Sequence, residues 1–456
     1  MPYFCAMAMQ WDTLLSARRL HVDNPQATDD QSYARSEFQR DFDRIIFSSP
    51  FRRLQNKTQV FPLPGSVFVH NRLTHSLEVA SVGRSLGNIL SNKLITAKEA
   101  DGEKVQGIGS IVSAACLAHD MGNPSFGHSG EKAISRYFTD GDGRQYQNHM
   151  EAAQWADLTN FEGNANAFRI LTHKFQGKGA SGFALTYSTL ASIVKYPCES
   201  IVGGNKAKVH TKKYGFFDSE KETYRSIAHQ LGIIEELQNP MIYVRYPLVY
   251  LVEAADDICY NIIDLEDAHR LGILSNEEVK SLLMPLFAGE EKAKIEESLA
   301  GIEDENDQIA YLRAKGIHQL IMACTEVFWQ NRQAILNGTY NNSLSDDMPE
   351  PYLSTLQAIQ EISWKKIYNY QTVVEIEVAG YQIIGGLLEE FVPAVVQNKS
   401  HYHKKLLALM PRQFHTESKE LYYKIQSVVD FISGMTDLYA IEMYRKIKGI
   451  SIPSIK

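Results

Sequence analysis

The sequence IVSAACLAHD spans residues 111–120 and runs from an apolar stretch into a histidine and an aspartate. Its first eight residues are small or apolar, which is typical of a buried helix. A helix that ends here would place His119 and Asp120 at its carboxyl end, where both side chains can turn toward one ligand. We therefore expect this stretch to lie at the centre of the fold.

Helical periodicity dominates the remainder of the chain. Apolar residues recur mostly at three- and four-residue spacing in segments 73–86 and 248–258. Similar patterns occupy residues 149–174, 185–196, 223–237, 276–300, 307–337, 352–369 and 418–448. The apolar stretch 373–396 contains four glutamates, which would be costly in lipid, so it predicts a buried helix and no membrane span. The predicted fold class is mainly α.

Strand-like and loop-like segments are few. Residues 59–61 and 67–69 flank a Pro-Leu-Pro-Gly turn and predict a minor β-hairpin. Glycine-containing polar segments predict loops at 139–148, 176–182 and 202–217. A change in character near 271–275 predicts the start of a helical C-terminal region.

Bulk composition excludes several classes of protein. The chain has 456 residues, of which 44% are hydrophobic, and a net charge of −8, which gives no support for a globally basic nucleic-acid binder. The five cysteines are scattered singly, which favours free thiols in a reducing compartment over disulfides or a zinc ribbon. The first residues lack the pattern of a signal peptide. These features predict a cytoplasmic protein.

Two further segments offer side chains that could bind a metal together with His119 and Asp120. His75 lies in one predicted helix, and the adjacent pair Asp256 and Asp257 lies in another. Taken singly, such residues are more often packed histidines or solvated acids. Their combination on three separate helices favours a divalent metal site with positions left for water and substrate. The residue types alone do not choose between the two adjacent aspartates.

The loop after Asp120 contains a second candidate for chemistry. It reads MGNPSFGHSGE, in which glycines and a proline break the helix and allow the backbone to approach a ligand. Glu131 follows His128 by three residues, close enough to accept a hydrogen bond from the imidazole and fix its tautomer. An ordinary solvated histidine is the alternative, but the position nine residues after His119 favours a catalytic pair.

At this point the sequence resembles the dGTPase-like deoxynucleoside triphosphate triphosphohydrolases of the HD superfamily. The matching segments are DFDRIIFSSPFRRLQNKTQV (41–60), NRLTHSLEVASVGRSLG (71–87), AHDMGNPSFGHSGEKA (118–133), NFEGNANAFRIL (160–171), TLASIVKYP (189–197), YLVEAADDICYNIIDLEDA (250–268) and SGMTDLYAIEMYR (433–445). The resemblance implies an HD-domain helical fold. We predict an N-terminal segment (1–40), an HD phosphohydrolase domain (41–274) and a C-terminal region for oligomerisation and pocket completion (275–456).

The resemblance also implies a set of site residues. It selects Asp256 over Asp257, so the expected metal ligands are His75, His119, Asp120 and Asp256. Mg²⁺ or Mn²⁺ is the expected ion, and Fe, Co, Ni or Zn would also suit these ligands.

The substrate contacts implied by the resemblance divide into a sugar set and a triphosphate set. In the family that the sequence resembles, one pair of residues hydrogen-bonds the sugar 3′-hydroxyl, and Gln59 and Asp264 match that pair. Val60 and Tyr260 match the residues that leave no room for a 2′-hydroxyl, which we call the sugar wall. The expected cationic partners of the triphosphate are Arg72, Lys195 and one of Lys212 and Lys213. Weaker candidates near the pocket are Asn164, Asn166, Arg169, His149 and Glu151.

The implied activity is metal-dependent hydrolysis of a dNTP, with dGTP the leading candidate, to deoxynucleoside and inorganic triphosphate. His128, oriented by Glu131, would move the proton, as either base or acid. The family implies a homo-oligomer, often a hexamer, and allows a dNTP activator. The alternatives are another HD phosphohydrolase, acting on nucleoside monophosphates, cyclic nucleotides or alarmones, and a non-catalytic nucleotide sensor or nucleic-acid-binding scaffold.

Overall fold

The computed structural model describes residues 8–22, 35–61, 69–177 and 182–451. These residues form twenty α-helices and one two-stranded antiparallel sheet. The helices are α1 (Trp11–Leu14), α2 (Glu37–Ile46), α3 (Ser49–Arg53), α4 (Arg72–Ala97), α5 (Gly102–Val105), α6 (Ile108–Ala118), α7 (Gly127–Thr139), α8 (Ala152–Thr159), α9 (Gly163–Thr172), α10 (Tyr187–Ile193), α11 (Lys221–Leu231), α12 (Val249–Arg270), α13 (Asn276–Leu283), α14 (Gly289–Ala300), α15 (Glu305–Leu336), α16 (Tyr352–Ile362), α17 (Gln371–Gln397), α18 (His401–Leu409), α19 (Leu421–Ser433) and α20 (Asp437–Ile447). The strands are β1 (Glu235–Gln238) and β2 (Met241–Tyr243).

Helix α6 lies at the centre of the fold, packed against α2, α4 and α12. Every residue of α6 except the half-buried Ser110 is buried, as its apolar sequence predicts. It approaches α4 closely, because a Cβ added to Gly87 would lie 2.8 Å from the Cα of Gly109. Asn71 caps the amino-terminal end of α4, because its side chain accepts hydrogen bonds from the amides of Leu73 and Thr74. This packing brings the amino-terminal part of α4, the end of α6 and the first half of α12 together.

The core continues past the predicted boundary near residue 275. A first apolar cluster runs from Met9 to Val373, and α12 packs against α15 within it. A second cluster joins α7 to α17 and α19. The division at 274/275 therefore stays a prediction. Among the described residues, no helix is both long and apolar enough to cross a lipid bilayer.

The prediction of a mainly α-helical fold with a minor hairpin is confirmed, although the local assignments differ in places. The stretch 373–396 is helical, within α17. The helix predicted over 223–237 is wrong at its end, because Gly232, with φ of 65°, terminates α11 and the chain enters β1. The hairpin predicted at 59–69 falls mostly on residues outside the described ranges. Just outside this segment, Thr58 and Asn71 form an isolated antiparallel bridge.

Candidate functional site

A cavity of about 510 Å³ opens beside the carboxyl end of α6. Its walls include the segment before α4, the loop between α6 and α7, residues 192–196, helix α12, and residues 364–377 of the C-terminal region. Helices that are far apart in sequence therefore contribute to one concave surface, which is the usual setting of a small-molecule site.

Four predicted metal ligands meet at the buried end of this cavity. His75 Nε2 lies 3.1 Å from Asp256 Oδ1, and that oxygen lies 3.4 Å from His119 Nε2. Asp120 Oδ1 lies 3.5 Å from His119 Nε2. The candidate ligand atoms of His75, His119 and Asp120 all lie within 4.8 Å of one another. Two imidazoles and two carboxylates thus surround one point.

The orientation of His119 fits a metal at that point. Its Nδ1 lies 2.6 Å from the carbonyl oxygen of Cys116 and donates a hydrogen bond to it, so Nε2 carries the lone pair whenever the imidazole is neutral, as a metal ligand must be. Nε2 is buried and has no hydrogen-bond partner among the described residues. A buried polar atom of this kind is costly unless a ligand satisfies it. The donor set and the free lone pair together suit a divalent cation.

The charges around the cluster are strongly coupled. Burial opposes protonation of His119, but the carboxylates of Asp120 and Asp256 raise its pKa to about 9. Burial likewise opposes ionisation of Asp256, yet His119 and His75 hold the pKa of this carboxyl well below its usual value. The two carboxylates therefore stay charged and create the negative potential that attracts a cation.

Asp256 and Asp257 point to different partners. Asp256 faces the histidines, whereas Asp257 accepts a hydrogen bond from the Ser345 hydroxyl. Burial raises the pKa of Asp257 to about 7. Of the two aspartates that the residue types left open, the structure thus brings only Asp256 into hydrogen-bonding contact with the histidine cluster.

His128 and Glu131 form a hydrogen-bonded pair in the lining of the cavity, with the imidazole on its exposed side. His128 Nδ1 lies 2.7 Å from Glu131 Oε2, and the amide of Gly163 donates to Glu131 Oε1 at 2.7 Å. Although burial opposes its charge, the contact with His128 lowers the pKa of Glu131. The imidazole is 75% exposed, so its Nε2 is free to reach a substrate.

The three predicted cations line the cavity, each beside an acid. Arg72 Nη1 donates to Asp120 Oδ2 at 2.7 Å, while its buried Nε has no partner among the described residues. Lys195 pairs with Glu253 at 3.1 Å, and Lys213 pairs with Glu162 at 3.0 Å. Arg72 therefore also orients a candidate metal ligand, which its position in the sequence did not indicate.

The predicted sugar residues lie on one side of the cavity. Gln59, Val60 and Tyr260 line it, and the buried Gln59 Oε1 has no partner among the described residues. Asp264 lies behind this wall and accepts a hydrogen bond of 2.8 Å from the Tyr368 hydroxyl. The rings of Tyr260 and Tyr368 stack with centroids 5.7 Å apart.

Several weaker candidates have structural contacts elsewhere. Arg169 forms buried ion pairs with Asp430 and Glu220, and Asn166 donates to the carbonyl of Gly122. Asn164 lines the cavity, Lys212 and His149 are exposed and do not line it, and Glu151 caps α8.

Sequence reasoning predicted that the C-terminal region completes the pocket, but it missed the residues that do so. Tyr368 and Trp364 line the cavity from a short π-helix, Ser363–Ile367, and its end. Their segment carries only an amphipathic pattern, so no sequence signal distinguishes them from core residues. π-helical turns are frequent at functional sites because they re-aim side chains.

Comparison with known proteins agrees with this arrangement. Residues 72–182 match the HD domain, and residues 347–446 match the phosphohydrolase-associated domain. The chain is 37% identical over 452 residues to a deoxyguanosinetriphosphate triphosphohydrolase-like protein of Synechocystis sp., covering 97% of this chain and 100% of the relative. A protein of the same description from Pseudomonas aeruginosa is 39% identical, covering 98% and 100%. A deoxyguanosinetriphosphate triphosphohydrolase of Yersinia enterocolitica is 31% identical, covering 93% and 96%.

Proposed function

Because this chain belongs to the family of deoxyguanosinetriphosphate triphosphohydrolase-like proteins, we propose that it hydrolyses a deoxynucleoside triphosphate, with dGTP the leading candidate, to deoxynucleoside and inorganic triphosphate. Its HD domain makes it a metal-dependent phosphohydrolase. One observation carries the substrate proposal: the His/Asp cluster, the His128–Glu131 pair and three cations border the same cavity as the predicted sugar wall.

The metal would be held by His75, His119, Asp120 and Asp256, and Mg²⁺ or Mn²⁺ is the ion we propose. A divalent cation held there activates water as a Lewis acid and balances phosphate charge. In the proposed reaction the water oxygen attacks the α-phosphorus, and the bond from that phosphorus to the 5′-oxygen breaks.

Proton transfer is assigned to His128. Its Nδ1 is held by Glu131, so Nε2 is the atom that takes the proton from water or delivers it to the leaving 5′-oxygen. The buried carboxylate of Glu131 stabilises the imidazolium, which is formed if His128 acts as the base and is consumed if it acts as the acid. Because this imidazole is exposed to the cavity, it could approach a phosphate held beside the cluster of metal ligands.

The triphosphate and the sugar would occupy opposite walls. Lys195, Lys213 and the unpaired Nε of Arg72 would neutralise the phosphate oxygens. Gln59 and Asp264 would hydrogen-bond the 3′-hydroxyl. Val60 and Tyr260 would fill the space that a 2′-hydroxyl needs.

Product analysis tests the proposal. The full-length protein is incubated with each dNTP and with GTP, in Mn²⁺ or Mg²⁺, and the products are separated. Deoxynucleoside and inorganic triphosphate are expected. Release of phosphate or pyrophosphate would indicate a different phosphohydrolase reaction, and the absence of turnover with every dNTP would indicate a nucleotide sensor or scaffold.

The setting of the reaction follows from the same interpretation. We place it in the cytoplasm, in keeping with the scattered cysteines, of which the four described ones are free and buried. A homo-oligomer, with a hexamer as the family's frequent form, and activation by a dNTP stay predictions of the family resemblance, as do the three regions 1–40, 41–274 and 275–456.

A further inference from the structure

A second cavity, of about 360 Å³, lies apart from the candidate active site and shares no lining residue with it. It opens where helices α2 and α3 meet the carboxyl end of α9 and the residues on either side of α19. The proposed reaction does not involve this cavity.

Arg53 gives this cavity its chemical character. It lines the cavity at the end of α3 and is partly buried, yet its side chain has no hydrogen bond or ion pair within the described ranges. Burial lowers the pKa of the guanidinium, and no carboxylate raises it. A partly desolvated cation without a counter-charge favours binding of an anion, which would supply the opposite charge and accept hydrogen bonds from the guanidinium.

The acidic residue in the lining of this cavity does not supply that counter-charge. Asp430 also lines the cavity, but Arg169 donates to both of its carboxylate oxygens, at 2.7 and 2.8 Å. A second cation, Arg44, lies at the cavity and donates to the carbonyl oxygens of Phe183 and Ala184. The cavity therefore carries a net positive charge.

Four phenylalanines also line the cavity. Phe175 and Phe414 pack with ring centroids 5.8 Å apart, Phe183 lies beside them, and Phe47 is 71% exposed. Such rings bind flat apolar groups and contribute little to a free inorganic ion. The volume admits a small molecule with one ring system.

We propose that this second cavity is a binding site for a small anion that carries one phosphate or carboxylate group on an aromatic body, with the anionic group held by Arg53. The bidentate geometry of a guanidinium suits either head group. The aromatic rings would hold the body of the ligand.

Calorimetric titration of the full-length protein with phenyl phosphate, benzoate and inorganic phosphate tests the proposal. Phenyl phosphate or benzoate should bind more tightly than inorganic phosphate, and the tighter of the two identifies the head group. Arg53→Met should weaken that binding at least about 10-fold, the usual effect of losing a charge-assisted hydrogen bond. The neighbouring Arg52→Met is the matched control and should bind normally, because Arg52 is exposed and does not line the cavity.

Two further measurements distinguish this site from the first cavity and from a structural role of Arg53. Lys195→Gln alters the first cavity and should leave binding of the anion unchanged. If the anion fails to bind to Lys195→Gln but still binds to Arg53→Met, it occupies the candidate active site and the proposal is wrong. The melting temperature of Arg53→Met should equal or exceed that of the wild type, because an unpaired charge is removed. A clear decrease would show that Arg53 has a structural role, and equal affinity in Arg53→Met and wild type would also reject the site.

Discussion

The two ends of the first cavity differ in how firmly their side chains are held. At the inner end, His75 is 3% exposed and His119 is fixed through Nδ1 by a backbone carbonyl. At the outer end, His128 is 75% exposed and its single described hydrogen bond goes to Glu131. The inner end is thus formed before any substrate arrives, whereas the outer end gains its remaining contacts from the substrate.

This difference separates two kinds of contribution to catalysis. In the proposed mechanism, side chains of the inner end hold the cation, so loss of that site should abolish the reaction. Side chains of the outer end act on a substrate that other groups already hold, so their loss should slow the reaction and spare binding. Substitutions at the two ends should therefore differ in metal content as well as in rate.

The largest effect is expected at the inner end. His119→Ala should abolish tight metal binding and lower turnover by well over 100-fold, because altering even a residue that merely orients a ligand costs about 10- to 100-fold. Metal analysis and dNTP hydrolysis measure both quantities. Near-normal values for both would remove His119 from the metal site.

Adjacent aspartates provide the matched pair for this prediction. Asp256→Asn should behave like His119→Ala, while Asp257→Asn should keep its metal, because its carboxylate contacts Ser345 and not the histidines. The reverse result would assign the ligand to Asp257.

This pair also marks the limit of what the sequence could predict about the site. The His119-Asp120 motif, His75 and the acidic pair could all be identified from residue types and order. Adjacent residues on a helix point about 100° apart, so the choice between them depends on the rotation of α12 against α4 and α6. Only a family register or a structure supplies that rotation.

At the outer end, His128→Ala should keep the metal and most of the substrate affinity but lower kcat by roughly 10²–10⁴-fold. Glu131→Gln should cause a smaller loss in the same direction, because the imidazole stays but loses its orienting charge. Single-turnover rates and metal content are the measurements. His149→Ala is the control and should be normal, since this exposed residue does not line the cavity. Loss of metal from a folded His128→Ala protein would make His128 a ligand.

Tertiary packing explains what the sequence could not predict about the fold. The helical segments follow from their apolar residues, and α6 shows this most simply, because ten of its eleven residues are buried. The pattern at 223–237 continues through apolar residues after Gly232, so it could not reveal that the backbone there pairs with β2. Tyr368 reaches the cavity from 104 residues beyond Asp264, and no local pattern encodes such a contact.

The sugar wall belongs to neither end, and a substitution there should show an intermediate effect. Val60→Ala removes two methyl groups where a 2′-hydroxyl would sit, so it should raise the ratio of kcat/KM for GTP over dGTP by roughly 10-fold. Metal content and dGTP turnover at saturation should change little. An unchanged ratio would mean that Val60 does not contact the sugar. A lower metal content would mean that Val60 supports the metal ligands of the inner end.

The smallest effect is expected at Asp264, behind that wall. Burial raises the pKa of this carboxyl to about 8, against the opposing hydrogen bond from Tyr368, so at pH 7 the group is mostly neutral and can both donate and accept a hydrogen bond. Asp264→Asn mimics the neutral acid and should keep dGTP turnover within about 3-fold of the wild type at pH 7.

The stability of the same variant checks this protonation state. In the unfolded chain the carboxyl loses its proton near pH 4, while the folded protein keeps it until about pH 8, so raising the pH through this window favours unfolding of the wild type. Asp264→Asn lacks this term, and its melting temperature relative to the wild type should therefore rise between pH 5 and pH 8, by about 2 °C or more. Asp264→Ala is the contrast, because it leaves the Tyr368 hydroxyl without its partner and should be less stable than Asp264→Asn throughout. A difference that stays constant with pH would mean that Asp264 is ionised in the folded protein, and the 3′-hydroxyl would then meet a charged acceptor instead of a neutral acid.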